Sequence, residues 1–363
     1  MYNNISQKKF LSLLMVSFLA LNFVSFASQI AILIGTDGII PLFVSGGVMY
    51  IFSILSVKLM ISNKGKSFYD ILTGGLGKFV GSILYLFYIV VMIYLYSYAV
   101  RIIATQVSVY MLPGKSMYVI YVVFISITLY AIIKGLAAIG NFSRIILYPI
   151  VFMLIFLFFL SVNNMDILNM FPLFTSSPGS YLNAVMHLLS YNFSGAFCIP
   201  FIINNVYDID EKSISREIGI VFLVSFGIFS IYYVLCIGVL GVDTCRSIVF
   251  PAINIMHNST SSGIFLNRYE IIIVFIVIIL YFLYCAVMMF SSVRGISEIT
   301  EKTFAGIFTP AVAVVFVYIL NDRAWGEYIA RILHMRGLLG YFPIVMTILF
   351  IYLLRRNKNE KSV

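Results

Sequence analysis

Ser190-Tyr191-Asn192-Phe193-Ser194-Gly195-Ala196-Phe197-Cys198-Ile199-Pro200 lies in the middle of an apolar run, 182–205, that is long enough to cross a bilayer. It is not composed like a plain lipid-facing helix, because Asn192, Ser194, Gly195 and Pro200 interrupt it. In hydrocarbon an unpaired backbone N–H or C=O is strongly unfavourable. A weakened helix therefore persists only where it is buried in protein or lines a cavity. Two readings follow. The run is a broken span, whose freed backbone groups and half-helix dipoles meet a ligand near mid-membrane. Or it is a packing notch, whose small residues let two helices approach closely.

The rest of the chain supplies the membrane context. Its 363 residues are 62% hydrophobic and 10% charged, with a mean hydropathy of +1.05. Soluble domains carry about 25% charged residues. The chain therefore reads as an all-α polytopic membrane protein, a single transmembrane domain over residues 1–363, with the lipid bilayer as its first partner. The net charge of +9 points to no nucleic acid, because the lysines and arginines stand at the ends of apolar segments, as membrane anchors do. Cys198, Cys236, Cys245 and Cys285 form no C-x-x-C pair, and His187, His257 and His334 lack ligand spacing. Neither a metal site nor a disulfide framework is indicated.

Gly74-Gly75-Leu76-Gly77 has no following G-K-[ST] and no preceding strand, so it is a turn after a short helix at 67–72 rather than a phosphate loop. No cofactor motif is present. No nucleophile elbow, H-E-x-x-H or paired carboxylates occur, so the expectation is that the chain is not an enzyme. The first apolar run, 10–34, exceeds the roughly 7–15 residues of a signal-peptide core and is expected to be a retained span.

A spanning helix needs about 20 apolar residues. Ten segments qualify: 10–34, 39–61, 79–112, 118–133, 145–162, 182–205, 218–240, 271–291, 304–320 and 338–354. With the N-terminus placed in the cytoplasm, sixteen of the 23 lysines and arginines fall inside and six outside. The positive-inside rule then places both termini in the cytoplasm. The loop 321–337 is discordant, with Arg323, Arg331 and Arg336 outside, and suggests a short amphipathic helix. The loops 163–181 and 242–270, rich in Ser, Asn and Pro, are candidate lids.

Transporter folds often hold two inverted five-helix repeats. Here the first would cover about residues 8–163 and the second about 181–356, with a short tail at 357–363. Spans one and six would then correspond, and both carry a central Asn-Phe pair beside small residues: Asn22-Phe23-Val24-Ser25 and Asn192-Phe193-Ser194-Gly195. Span one has no central glycine or proline. Arg101 is the one positive charge deep inside a span; it serves a ligand or a gate, or it is a structural tie to carbonyls or an acid. No Asp or Glu lies in mid-span, which weighs against a carboxylate proton relay. Tyr94 and Tyr98 share one helix face, as do Tyr281 and Tyr284. Their hydroxyls either line a polar path or bond neighbouring carbonyls within ordinary packing.

Several landmarks together resemble the spore germination permease family, the B subunits of nutrient germinant receptors within the amino acid–polyamine–organocation superfamily. They are Ile5-Ser6-Gln7-Lys8-Lys9-Phe10 at the start; Gly35-Thr36-Asp37-Gly38; Gly65-Lys66-Ser67-Phe68-Tyr69-Asp70-Ile71-Leu72 followed by Leu76-Gly77-Lys78; Arg101 before Met111-Leu112-Pro113; Tyr130-Ala131, Lys134-Gly135-Leu136 and Arg144; Leu168-Asn169-Met170-Phe171-Pro172-Leu173; and Gly263 to Glu270. The order and spacing run along the whole chain. Gly114-Lys115-Ser116 departs from the usual residues after the Leu-Pro turn.

The resemblance implies a ten-helix, leucine-transporter-like fold with spans one and six broken. It implies a receptor subunit of the spore inner membrane that works with an A subunit and a lipoprotein C subunit and recognises a small nutrient germinant, commonly an amino acid. Carried onto this sequence, Ala20, Leu21, Asn22, Asn192, Ser194, Gly195 and Ala196 would form the pocket floor. Tyr98 and Tyr284 would be walls, with Arg101 and Pro200 in structural or gating roles. The rival expectations are a proton- or sodium-coupled amino-acid transporter and a water or ion pathway opened during germination.

Overall fold

The computed structural model describes residues 4–22, 26–190, 194–259, 269–300, 308–321 and 338–361, with 326, 328–329 and 332–333 between the last two. The described residues are almost wholly helical. The first expected span divides into α1 (Gln7–Asn22) and α2 (Phe26–Ile34), which meet at a bend of 58°. A 3-10 turn, Gly35–Asp37, leads to α3 (Ile39–Ser62). The short helix α4 (Phe68–Leu76) begins on a capping box. Asp70 N–H donates to Ser67 Oγ at 3.0 Å, and Ser67 N–H donates to the Asp70 carboxylate at 3.1 Å. Two of the N–H groups that a helix start leaves unpaired are thereby satisfied. Gly77, at φ +84°, then turns the chain into α5 (Lys78–Tyr110), the longest helix at 33 residues. A side chain at Gly81 would meet the Leu72 carbonyl at 2.7 Å, so glycine is what lets α5 start against α4.

Met117–Lys134 forms α6 and Leu136–Ser161 forms α7. The hinge between them is Gly135 at φ +87°, a backbone region that side chains rarely adopt. α7 starts nine residues before the expected span, because 136–144 continues the helical pattern through polar residues. α8 (Pro178–Ser190) precedes a 3-10 segment, Ser194–Cys198, the single turn α9 (Ile199–Ile202) and a 3-10 turn, Ile203–Asn205. The two halves of this run bend by 42°. α10 (Ile214–Leu240), the short α11 (Val242–Ser247) and α12 (Pro251–Ser259) follow, then α13 (Tyr269–Thr300), α14 (Phe308–Asn321) and α15 (Tyr341–Lys361).

Among the described residues, six unbroken helices are long and apolar enough to cross a membrane: α3, α5, α6, α7, α10 and α13. The two bent pairs raise this to eight. Expected spans nine and ten correspond to α14, only 14 residues long, and α15, whose C-terminal turns carry Arg355 and Arg356.

The interior lies around α1, α5 and α13. Tyr85, Tyr88, Tyr96, Tyr281 and Tyr284 are among the largest fully buried side chains. The perimeter is apolar instead: Tyr148, Phe152 and Phe159 of α7 are each 70% exposed or more. A soluble protein rarely presents such a surface, whereas hydrocarbon solvates it. α13 continues past the expected end of span eight to Thr300, so Arg294 and Glu298 lie on its last turns rather than in a loop.

Candidate functional site

The break in span six adjoins α1, the first half of span one. A side chain at Gly195 would meet Ser17 Cβ at 2.6 Å, the Ser17 carbonyl carbon at 3.2 Å and Phe18 at 3.4 Å. The span-six break is therefore pressed directly against α1, and the small residue is required for that approach. Both readings of the opening stretch hold in part: the helix is interrupted, and the interruption is also a packing notch. Gly195 is occupied by α1 rather than facing open space.

Two carbonyls of the break have side-chain partners. Tyr88 of α5 donates to the Phe197 carbonyl at 2.9 Å, and Cys198 Sγ donates to the Gly195 carbonyl at 2.8 Å. The hydroxyls of Ser194 and Tyr284 lie 2.9 Å apart and are buried, which links the break to α13. Ala20, Leu21 and Ala196 are fully buried. Pro200 is the second residue of α9 and also buried, where its missing N–H leaves no helix bond unmade. Asn192 and Phe193, residues 23–25 and the side chain of Asn22 lie outside the described residues, as does most of the 263–270 motif.

The remaining candidates gather elsewhere. Tyr98 stacks on Tyr94 with ring centroids 6.1 Å apart. With Arg101, Ile102 and Thr105 it lines a cavity of about 200 Å³, which Gln29 of α2 and Val249 and Phe250 complete. Gln29 Oε1 lies 2.8 Å from His187 Nε2 on α8. The structure thus divides the expected site. Ser194, Gly195 and Tyr284 meet at the break, Ala196 lies within it, and Ala20 and Leu21 are buried near the end of α1, whereas Tyr98 and Arg101 belong to a cavity near the far end of α5.

Polar residues that the sequence reading left without a role tie down both ends of the broken spans. At one end Asp37 is 4% exposed. It accepts from Phe174 N–H at 2.7 Å, Thr175 N–H at 3.2 Å and Tyr181 Oη at 2.7 Å. Thr36 donates to the Pro172 carbonyl at 2.6 Å, and Tyr233 donates to that of Gly35. The two motifs around Asp37 and Pro172 are therefore one clasp, which joins α2 to the loop before α8.

At the other, Lys-rich end, Arg294 bonds Asn205 and lies 3.4 Å from Glu298, which also accepts from Tyr85 at 2.7 Å. Ile5 pairs with Val206 as an isolated parallel bridge. The Gln7 amide donates to Glu217 at 2.7 Å and Ser213 at 3.2 Å. Nearby Asp210 has its carboxyl held below the ordinary value, chiefly by the Lys212 N–H. A cavity of about 510 Å³ lies at this end, lined by Lys64, Lys66, Asn204, Arg294 and Glu298 among others. The only sequence signal for these ties was the Arg294–Glu298 spacing of four.

Comparisons with known proteins agree with this architecture. The family model described as "Spore germination protein" matches residues 4–324. Spore germination protein A2 of Bacillus subtilis (strain 168) is 22% identical over 330 residues, which is 90% of this chain and 88% of the relative. Spore germination protein B2 of the same organism is 24% identical over 322 residues, 86% and 84% of the two chains. Among solved structures, Mhp1, a nucleobase-cation-symport-1 family transporter in a closed conformation with bromovinylhydantoin bound, gives a TM-score of 0.61 at 10% identity. The match covers 95% of this chain and 78% of that one. A manganese transporter of Eremococcus coleocola gives 0.56 at 11% identity, covering 95% and 76%. At such identities the structural matches establish the fold, a leucine-transporter-like helical bundle, and nothing of the cargo.

Proposed function

This chain belongs to the spore germination protein family, and from that premise we propose that it is the nutrient-sensing B-type subunit of a germinant receptor. It binds a small germinant, an amino acid, at the junction of the two broken spans. It signals to an A subunit and a lipoprotein C subunit in the spore inner membrane. Both termini face the cytoplasm, and the chain performs no catalysis.

The observation that carries this reading is the contact of Gly195 with Ser17, with Ser194 bonded to Tyr284 beside it. Three helices meet there through one glycine and one pair of hydroxyls. A ligand that brings its carboxylate to the backbone N–H groups of the break must displace these contacts, and so favours an arrangement in which they are remade. Binding can shift the equilibrium by as much as the two arrangements differ in affinity.

The test uses spores in which this is the only germinant receptor. Gly195→Ala, which drives a methyl group into Ser17, is expected to reduce the response to an amino-acid panel at unchanged protein level. Ser17→Gly in the same chain is expected to restore it. A full response in Gly195→Ala, with protein level confirmed by immunoblot, contradicts the assignment. Uptake of radiolabelled amino acids by proteoliposomes distinguishes sensing from transport: sensing alone predicts saturable binding without accumulation.

A further inference from the structure

Arg101 is a half-buried cation in a helix that spans the membrane. Among the described residues, no carboxylate pairs with its guanidinium. A cation in such a place is unfavourable unless a partner or water meets it. What it does meet is the cavity of about 200 Å³. A liquid water occupies about 30 Å³, so this volume holds several waters or one solute of a few heavy atoms.

The position is specific. Thirteen residues separate Tyr88, which bonds the break, from Arg101 on the same helix. At 1.5 Å per residue that is about 20 Å along α5. The cavity is therefore displaced from the Phe197 side of the break, toward the end that carries the Asp37 clasp and away from the Lys-rich end, about one turn into the outer half-helices. One wall is Gln29 of α2, the outer half of span one, and Gln29 is bonded to His187 of α8, the outer half of span six. With Oε1 engaged by His187, the amide group of Gln29 retains two donors. Val249, 62% exposed, and Phe250, 6% exposed, close the remaining side, and Phe250 packs against Tyr110 at 5.7 Å.

The chemistry is that of a receptor for a small anion with an organic body. The guanidinium offers a planar fork of donors that matches a carboxylate in two-point geometry. Gln29 and Tyr98 add neutral polar groups, whereas Ile102, Val249 and Phe250 offer apolar contact. We infer that this cavity is an outer ligand subsite that takes the carboxylate of a small organic solute on Arg101 before the solute reaches the break. That the solute is a germinant rests on the function proposed above; the capture of a carboxylate does not.

The test reads the cavity directly, in the full-length chain in lipid nanodiscs. Thr105→Cys places a thiol in the wall, and Cys198, Cys236, Cys245 and Cys285 are all buried, so their background is low. The probes are a sulfonate-bearing and a trimethylammonium-bearing methanethiosulfonate. With each rate divided by that reagent's rate with a free thiol in solution, the anionic reagent is expected to be favoured by on the order of tenfold with Arg101 in place, the scale of focusing by a lined cleft. Arg101→Gln is expected to abolish the preference and Arg101→Lys to keep it.

In the arginine background, sodium acetate is expected to slow labelling by the sulfonate reagent and sodium chloride at equal ionic strength to slow it less. Equal normalised rates for the two reagents with Arg101 present overturn the inference. So does a preference that survives Arg101→Gln, or the absence of protection by acetate beyond that of chloride. The readout needs no germinant, so it remains decisive even where the break proves not to bind one.

Discussion

The two ends of the broken spans are held in different ways. At the Asp37 end, one buried carboxylate collects two backbone N–H groups and a tyrosine hydroxyl from a single loop-and-helix segment. At the Lys-rich end the ties are spread over many residues: Arg294 with Glu298 and Asn205, Tyr85 with Glu298, Ile5 with Val206, and Gln7 with Glu217. The first has one main anchor, beside which Thr36 holds Pro172, Ser176 holds Ile34 and Tyr233 holds Gly35. The second is a mesh in which each strand is weak. The difference implies that the loss of one residue, Asp37, weakens the first end more than any single loss weakens the second, which loosens by degrees.

The largest expected effect is therefore at Asp37. Asp37→Ala removes the acceptor from three donors, and leaving buried donors unpaired costs about 1–3 kcal/mol each. The expected outcome is a large fall in melting temperature of the purified chain and rapid chymotryptic cleavage in the loop 163–177. An uncut loop in that variant would break the comparison.

Arg294→Ala comes next. It leaves Glu298, whose side chain is 12% exposed, with Tyr85 alone. Removing one partner of a buried ion pair costs about 3–5 kcal/mol, and part-exposure of Arg294 at 27% reduces this here to about 2 kcal/mol. A double-mutant cycle with Glu298→Gln measures the coupling; a value near zero would show that the mesh does not depend on this pair.

Ser194→Ala removes one hydrogen bond to Tyr284 and is expected to cost about 1 kcal/mol, with no further loss when Tyr284→Phe is added. Ser67→Ala, at the cap of α4, is expected to cost about 1 kcal/mol or less and to leave both ends tied. It is the control for the other three.

These contrasts bear on what the sequence disclosed. Spans were legible because hydrocarbon demands long apolar runs, and the break in span six was legible because Gly195 and Pro200 mark it. The interruption of span one carries no glycine or proline, since 23–25 is Phe-Val-Ser, and was expected only from the family resemblance and the Asn-Phe pair shared with span six. The family landmarks were visible as motifs, but only the fold shows that Gly35-Thr36-Asp37-Gly38 and the segment through Pro172 are two halves of one clasp. The early end assigned to span eight hid Arg294 and Glu298, because charged residues at helix spacing read as loop when hydropathy alone sets the boundary. Of the candidate site residues, Ser194, Gly195 and Tyr284 do converge, while Tyr98, expected as a pocket wall from the family resemblance, lines a cavity with Arg101, for which a structural or gating role was expected.

The central claim is that the meeting of the span-six break with α1 and α13 is the place where a small nutrient controls the molecule. The most direct measurement is equilibrium binding of radiolabelled amino acids to the purified full-length chain in nanodiscs, with and without the Ser194→Ala, Tyr284→Phe pair of substitutions. The account predicts saturable binding of at least one amino acid to the native chain, and a loss of about tenfold or more in affinity in the double variant, whose partly polar cradle has become apolar. Saturable binding unchanged by the two substitutions, or no saturable binding of any amino acid to the folded native chain, would contradict it.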